Sequence, residues 1–189
     1  MKTSFYDLEL LTAPGRVFSP RAATEQLVDA ALERIDGKQV RVADAGTGTG
    51  AVAVALAVNR PQIEVWATDT NPEAVELAHS KAALHGVADR VHVLQGDVLD
   101  PLPAPVDLVV ANLPYLPEGE HDARYDDEPD DAVYAPGEGL GPYRRLLAAC
   151  RDGKPVSPGG YVLIQYDAKP FGADCWRLED LRSELEDAA

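Results

Sequence analysis

Three glycines and three aspartates carry the first chemical signal in this chain. Gly46, Gly48 and Gly50 stand in Asp44-Ala45-Gly46-Thr47-Gly48-Thr49-Gly50, between an apolar run from Val40 to Ala43 and an Ala/Val/Leu stretch from Ala51 to about Val58. Glycine permits a tight strand-to-helix turn and lets a ligand approach the backbone closely. Asp69, nineteen residues beyond Gly50, stands where an acid holds ribose hydroxyls. The spacing Gly46-x-Gly48-x-x-Ala51 also satisfies the dinucleotide fingerprint. These residues therefore indicate a ribose-bearing cofactor without naming it, and an NAD-dependent oxidoreductase stays open on the glycine spacing. Asp44 helps to separate the two. A carboxylate two residues before the first glycine suits the cationic ammonium of a methionine moiety and sits badly beside a pyrophosphate. Asp97 can accept a hydrogen bond from an adenine amino group. Thr47, Thr49, Thr70 and Val98 adjoin these positions and complete the candidate cofactor set.

Asn112-Leu113-Pro114-Tyr115 follows a fourth apolar run, Val106 to Ala111. Ligands of open α/β sheets bind beyond the carboxyl ends of the strands, so this turn should face the cofactor, with Asn112 touching both ligands. An amide or exocyclic amine is a weak nucleophile because its lone pair is delocalised. The Asn112 side-chain oxygen and the Leu113 carbonyl can each accept a hydrogen bond from such an NH2 group and aim its lone pair. Tyr115 can stack on the planar group. Catalysis by Asn112, Leu113, Pro114 and Tyr115 would then be positioning for in-line displacement, with acceptors placed where charge develops on nitrogen. The plain alternative is a β-turn, since Asn and Pro are common turn formers.

The elements that must position these groups alternate in type. Strands are expected at Val40–Ala43, Glu64–Thr68, Val91–Leu94, Val106–Ala111 and Tyr161–Tyr166, the last after a turn at Ser157–Gly160. Helices are expected from a Ser19-Pro20 cap to Gly37, over Ala51–Val58, from Asn71-Pro72 to Gly86, over Pro142–Cys150, and in a last acidic segment from about Leu178 to Asp187. Such alternation implies an α/β doubly wound, Rossmann-like parallel sheet in one domain spanning 1–189. The stretch from Pro117 to Gly141 reads as a loop, and its acidic part as a solvated face or a gate that collects cationic ligands.

The net charge of −15 disfavours a nucleic-acid backbone as partner and fits a protein, a peptide or a small cationic molecule better. No apolar run approaches the ~20 residues that span a bilayer, and Asp7 and Glu9 interrupt the start where a signal peptide is apolar. No membrane association and a cytoplasmic protein are expected. Cys150 and Cys175 lack ligand or CxxC spacing, as do His79, His85, His92 and His121. Free thiols, non-catalytic histidines and no metal are expected.

The chain resembles the HemK/PrmC family of protein glutamine N5-methyltransferases from about Phe18 to Tyr166. Phe18-Ser19-Pro20-Arg21-Ala22-Ala23-Thr24-Glu25 is similar to the family's PRxxTE segment, Asp44 to Gly50 to its DxGTGTG motif, and Asn112 to Tyr115 to its NPPY signature. Glu128-Pro129, Gly139-Leu140 and Tyr143-Arg144-Arg145-Leu146 follow its "EP…GL..YRRL" run, which generic methyltransferases do not share. The resemblance implies a class I methyltransferase fold, S-adenosylmethionine as methyl donor, S-adenosylhomocysteine as product, and a glutamine of a protein such as a peptide-chain release factor as acceptor. It also makes Arg21, Thr24 and Glu25 part of the cofactor entrance.

The chain departs from that family in three ways. Leu113 replaces the first proline of NPPY, and Asn-Leu-Pro-Tyr is also similar to the motif of rRNA adenine dimethylases. The helical domain that bacterial members place ahead of this region is expected to be missing. The residues after Tyr166 read as one helix, so the C-terminal antiparallel hairpin is expected to be missing. A fifth strand left as a bare edge invites pairing, by a second copy of the chain or a partner subunit. A methyltransferase of small-molecule or RNA amines, and a non-catalytic cofactor-binding protein, are the alternative functions.

Overall fold

The structure, a computed structural model, describes residues 2–35, 39–151, 156–166 and 172–177, with backbone alone at residues 2 and 172–177. Its centre is a six-stranded sheet built from β3 (Arg41–Ala45), β4 (Glu64–Asp69), β5 (Val91–Gln95), β6 (Val106–Ala111), β9 (Val156–Tyr166) and β10 (Gly172–Arg177). The order is β10-β9-β6-β3-β4-β5, and every neighbouring pair but β10–β9 is parallel. The chain runs outward from β3 to β5, then crosses back to β6. The strand order therefore reverses between β3 and β6, which opens a crevice at their carboxyl ends.

Alternation along each strand divides the core. Val42, Leu108, Val110 and Leu163 face one cluster with helices α1 (Ala22–Arg34), α2 (Ala51–Asn59) and α3 (Pro72–Leu84). Their neighbours Ala43, Val109, Val162 and Ile164 face the other, with Tyr143, Leu146 and Cys150 of α4 (Gly141–Arg151). Strands covered on both faces become near-continuous apolar runs, which is why these segments stand out in the sequence. Asn71 caps α3, its side chain accepting the Glu73 amide at 2.9 Å, with Pro72 in the first turn. Gly86, at φ +68°, follows the end of that helix.

Several expectations are corrected. Helix α1 does not start at Ser19-Pro20. The Ser19 amide donates to Glu128 Oε2 at 2.8 Å, residues 18–21 stay outside the helix, and Arg21, in extended conformation, becomes the N-cap without a side-chain capping bond. Gly37 lies outside the described residues. The Ser157–Gly160 turn is instead an irregular part of β9. Val106 pairs with Val156 and Leu108 with Tyr161, so β9 advances five residues where β6 advances two, with Gly159 at φ +76° inside the excursion.

The chain after Tyr166 does not lack an antiparallel strand. β10 pairs with β9 from Gly172↔Tyr166 to Arg177↔Tyr161, so the fifth strand is covered by the chain itself. The argument for a second copy or partner at that edge falls with it. The acidic helix expected from Leu178 lies outside the described residues.

Several small elements were not expected. β1 (Lys2–Phe5) and β2 (Leu8–Leu11) form a hairpin. Its turn residues Tyr6 and Asp7 both take positive φ, 50° and 60°, as a two-residue hairpin turn requires. The Tyr6 amide donates to Glu25 Oε1 at 2.8 Å and its hydroxyl to Asp29 Oδ1 at 2.7 Å, which docks the hairpin on α1. Within the 117–141 loop, two 3-10 turns occur, and β7 (Leu116–Pro117) bridges to β8 (Tyr134–Ala135). No helix among the described residues is long and apolar enough to cross a membrane.

Candidate active site

A cleft of about 630 Å³ lies over the carboxyl ends of β3, β4 and β6. It gathers Asp44, Gly46, Thr47, Gly48 and Thr49 from the glycine turn, Asp69 and Thr70 from β4, Asp97 and Val98 after β5, and Asn112, Leu113, Pro114 and Tyr115 after β6. Of the glycine-turn, acid and acceptor-turn candidates, Gly50 alone does not line it. It is the N-cap of α2 at φ +77°, and a Cβ there would lie 2.8 Å from Ala78 Cα of α3. Gly50 therefore serves helix packing.

The glycine turn is held from two sides. Asp44 is buried, and its Oδ2 accepts the Thr47 hydroxyl at 2.6 Å and the Ala53 amide at 3.1 Å. Burial pushes its carboxyl up to about 6, against the lowering effect of those two bonds. The Asp69 carboxylate accepts the Gly48 amide through Oδ2 at 2.8 Å and the Asn71 amide through Oδ1 at 2.9 Å. Burial raises this carboxyl too. Gly46 and Gly48 take φ +71° and +54°, and a Cβ on Gly46 would meet Leu113 Cδ2 at 2.5 Å. Glycine is thus required for conformation at both positions and for close approach at the first.

Beyond β5, Val98 takes φ +35°, a strained setting for a β-branched residue. Its carbonyl is fixed by the buried Thr68 hydroxyl at 2.6 Å. Asp97 is engaged as well: its Oδ2 accepts Arg145 Nε of α4 at 2.9 Å.

At the end of β6, Asn112 Nδ2 donates to Thr24 Oγ1 of α1 at 3.3 Å. With the amide nitrogen on Thr24, the Asn112 oxygen is the arm available to accept in the cleft. The Leu113 amide donates to the Tyr143 hydroxyl at 3.1 Å. The Tyr115 and Tyr125 hydroxyls lie 3.5 Å apart. Gly139, at φ +81°, packs so closely that a Cβ would fall 2.1 Å from the Tyr115 carbonyl oxygen.

The entrance segment is only partly as read. Arg21 and Thr24 line the cleft, whereas Glu25 turns to the Tyr6 amide. The Arg21 guanidinium lies 4.5 Å over the Tyr125 ring and donates to Glu128 Oε1 at 3.2 Å and to the Arg124 carbonyl at 2.9 Å. Glu128 thereby ties the segment before α1 to the loop after the Asn112 turn. Beside the cleft, Glu118, Glu120, Asp126, Asp130 and Asp131 line a second, acidic cavity of about 530 Å³. No histidine lines the main cleft, and no metal-ligating cluster occurs among the described residues. Cys150 is a buried free thiol whose pKa burial pushes up to about 12; the Cys175 side chain lies outside those described.

Residues 7–125 match the methyltransferase small domain family. The chain is 40% identical over 163 residues to a release factor glutamine methyltransferase of Deinococcus radiodurans, covering 84% of this chain and 57% of that one. It is 34% identical over 166 residues to the protein of that name from Escherichia coli, covering 86% and 58%. It thus spans less than two thirds of the length of these curated relatives. Among solved structures, ribosomal protein L11 methylase from Lactobacillus delbrueckii superposes with a TM-score of 0.56 at 25% identity, over 80% of this chain and 63% of that one. An RNA methyltransferase from Salinibacter ruber, in complex with S-adenosylhomocysteine, superposes with a TM-score of 0.59 over 86% and 94%, and at 20% identity shows a shared fold. By its matched residues and its sheet, the chain belongs to the methyltransferase small domain family.

Proposed function

We propose that this protein transfers a methyl group from S-adenosylmethionine to the side-chain amide of a glutamine in a protein such as a peptide-chain release factor. The observation that carries the reading is one cleft lined both by Asp44, Asp69 and the left-handed Gly46 and Gly48, which suit a cofactor, and by Asn112 and Leu113, which suit an acceptor NH2.

The residues present fit the methyl donor. A buried carboxylate at Asp44 suits an ammonium group, and Asp69 suits ribose hydroxyls. Asp97 and the strained Val98 backbone would flank the adenine. When bound, S-adenosylmethionine supplies an electrophilic methyl group and is left as S-adenosylhomocysteine. The chain's own contribution is orientation. Asn112 Oδ1 and the Leu113 carbonyl accept the two hydrogens of the glutamine NH2, which turns the nitrogen lone pair toward the donor. Positive charge then develops on nitrogen against two fixed acceptors. The proton is acidic only after transfer, so no strong base is needed. The acidic cavity at the mouth supports a protein or peptide acceptor with basic flanks over a nucleic-acid backbone.

The test is incubation of the purified protein with methyl-labelled S-adenosylmethionine and a release factor, followed by peptide mass spectrometry. One methyl group on the glutamine of its GGQ motif is expected. Cofactor binding without any label on the release factor, or label on an adenine of an added RNA instead, overturns the acceptor assignment.

A further inference from the structure

The acceptor turn has a hydrogen-bond hub behind it that the reaction as described does not use. Tyr143, on α4, is 5% exposed. Its hydroxyl accepts from the Leu113 amide at 3.1 Å and lies 2.5 Å from the Gln165 carbonyl oxygen and 3.2 Å from the Leu113 carbonyl oxygen. One hydroxyl thus joins the end of β6, which carries the acceptor turn, to the end of β9.

We propose that Tyr143 is a positioning residue for methyl transfer, its hydroxyl fixing the Leu113 backbone at the end of β6 so that the Leu113 carbonyl is held in place with a lone pair left for the acceptor NH2. A phenol has one proton to give and two lone pairs to receive with. Two carbonyls compete for that proton, and the Gln165 oxygen is nearer than the Leu113 oxygen by the difference between 3.2 and 2.5 Å. The nearer Gln165 carbonyl is the favoured acceptor of that proton, a lone pair receives the Leu113 N–H, and the Leu113 carbonyl, with two lone pairs, keeps one for substrate even where the hydroxyl also reaches it. Burial raises the phenol pKa, so the hydroxyl remains a donor throughout the working pH range. The arrangement belongs to this chain's departure from NPPY, because a proline at 113 would have no N–H to give.

The inference rests on the reading of Asn112–Tyr115 as the acceptor site, so its test has two readouts. Tyr143→Phe keeps the ring in the core and removes only the oxygen. In the first readout, hydrogen exchange of the Leu113 amide is followed by NMR; protection should drop at least tenfold while the amides of β3 are unchanged. In the second, steady-state methylation of a release factor should show kcat lowered roughly 10- to 100-fold, with cofactor Kd and acceptor KM within about twofold. A merely structural role would instead cut the cofactor-binding stoichiometry in proportion to the rate, whereas Tyr143→Phe should leave that stoichiometry at the wild-type value. Tyr143→Trp, which removes the hydroxyl with a different ring, should share the kcat loss if it folds. Unchanged Leu113 protection, or kcat within twofold of wild type, overturns the proposal. If the wild-type protein methylates no release factor, the acceptor assignment fails, and Leu113 exchange still decides whether Tyr143 holds the turn.

Discussion

The Asp69 carboxylate reaches back across the sheet to accept the Gly48 amide at 2.8 Å. The acid assigned to ribose thus also shapes the glycine turn that would surround the rest of the cofactor. Asp69→Ala should therefore lose both functions together. S-adenosylmethionine affinity is expected to fall by more than the roughly tenfold typical of one charge-assisted hydrogen bond. Calorimetric titration checks this, and affinity within threefold of wild type would refute it.

Among the described residues, the Asn112 side chain bonds through its amide nitrogen to Thr24. Asn112→Ala should lower kcat by about 10²-fold or more, the range seen when one transition-state hydrogen bond is removed. Cofactor affinity should change by less than about threefold. Thr24→Val, which removes the partner that fixes the amide's orientation, should produce a smaller loss of the same kind. Parallel rate and binding measurements on both variants separate these outcomes.

Asp44 gives the site a pH dependence. Its folded pKa of about 6 exceeds the ordinary 3.8, so the free folded state binds more protons than the unfolded state between those values. Its contribution to stability is therefore greatest at low pH and declines as pH rises through that window. Cofactor binding has the opposite sense, because an ammonium needs the ionised carboxylate. Affinity for S-adenosylmethionine should be flat above pH 7 and weaken below pH 6, by up to about tenfold per pH unit. Asp44→Asn should bind more weakly at pH 7.5 and lose this dependence.

Lys81 is fully buried in α3, and its Nζ has no hydrogen-bond partner among the described residues. Burial pushes its pKa from 10.5 down to about 7. Between those values the unfolded state binds more protons, so stability should rise with pH over that window, by at most about 1.4 kcal/mol per unit. Below pH 7 the cost is present in full. Lys81→Met should therefore stabilise the protein at pH 6 by about 1–3 kcal/mol, with the gain shrinking toward pH 10. Denaturant titrations of both proteins across that range test the sign.

The central sheet and most of the site were legible in the sequence for one physical reason. Strands buried on both faces, such as Val106–Ala111 with Asp107 as its one polar residue, are nearly all apolar, and each one here ends on polar or glycine residues at the crevice. What was not legible depends on tertiary pairing. Nothing local in Gly172–Arg177 announces a strand, because its partner is β9. The β1–β2 hairpin was hidden because its turn uses Tyr6 and Asp7 at positive φ, where glycine or asparagine would have signalled it. Gly50 reads as a ligand glycine by spacing, yet it meets Ala78. Tyr143 sits on the apolar face of α4, and only the fold shows where its hydroxyl ends up. Ser19 looks like a cap until Glu128, distant in sequence, takes its amide.

The hairpin has a further consequence through α1. Tyr6 is bonded to Glu25, and the preceding residue, Thr24, holds the Asn112 amide. Two adjacent side chains on one helical turn thus tie the first few residues of the chain and the end of β6 to the same turn of α1, a single staple for two distant stretches of sequence.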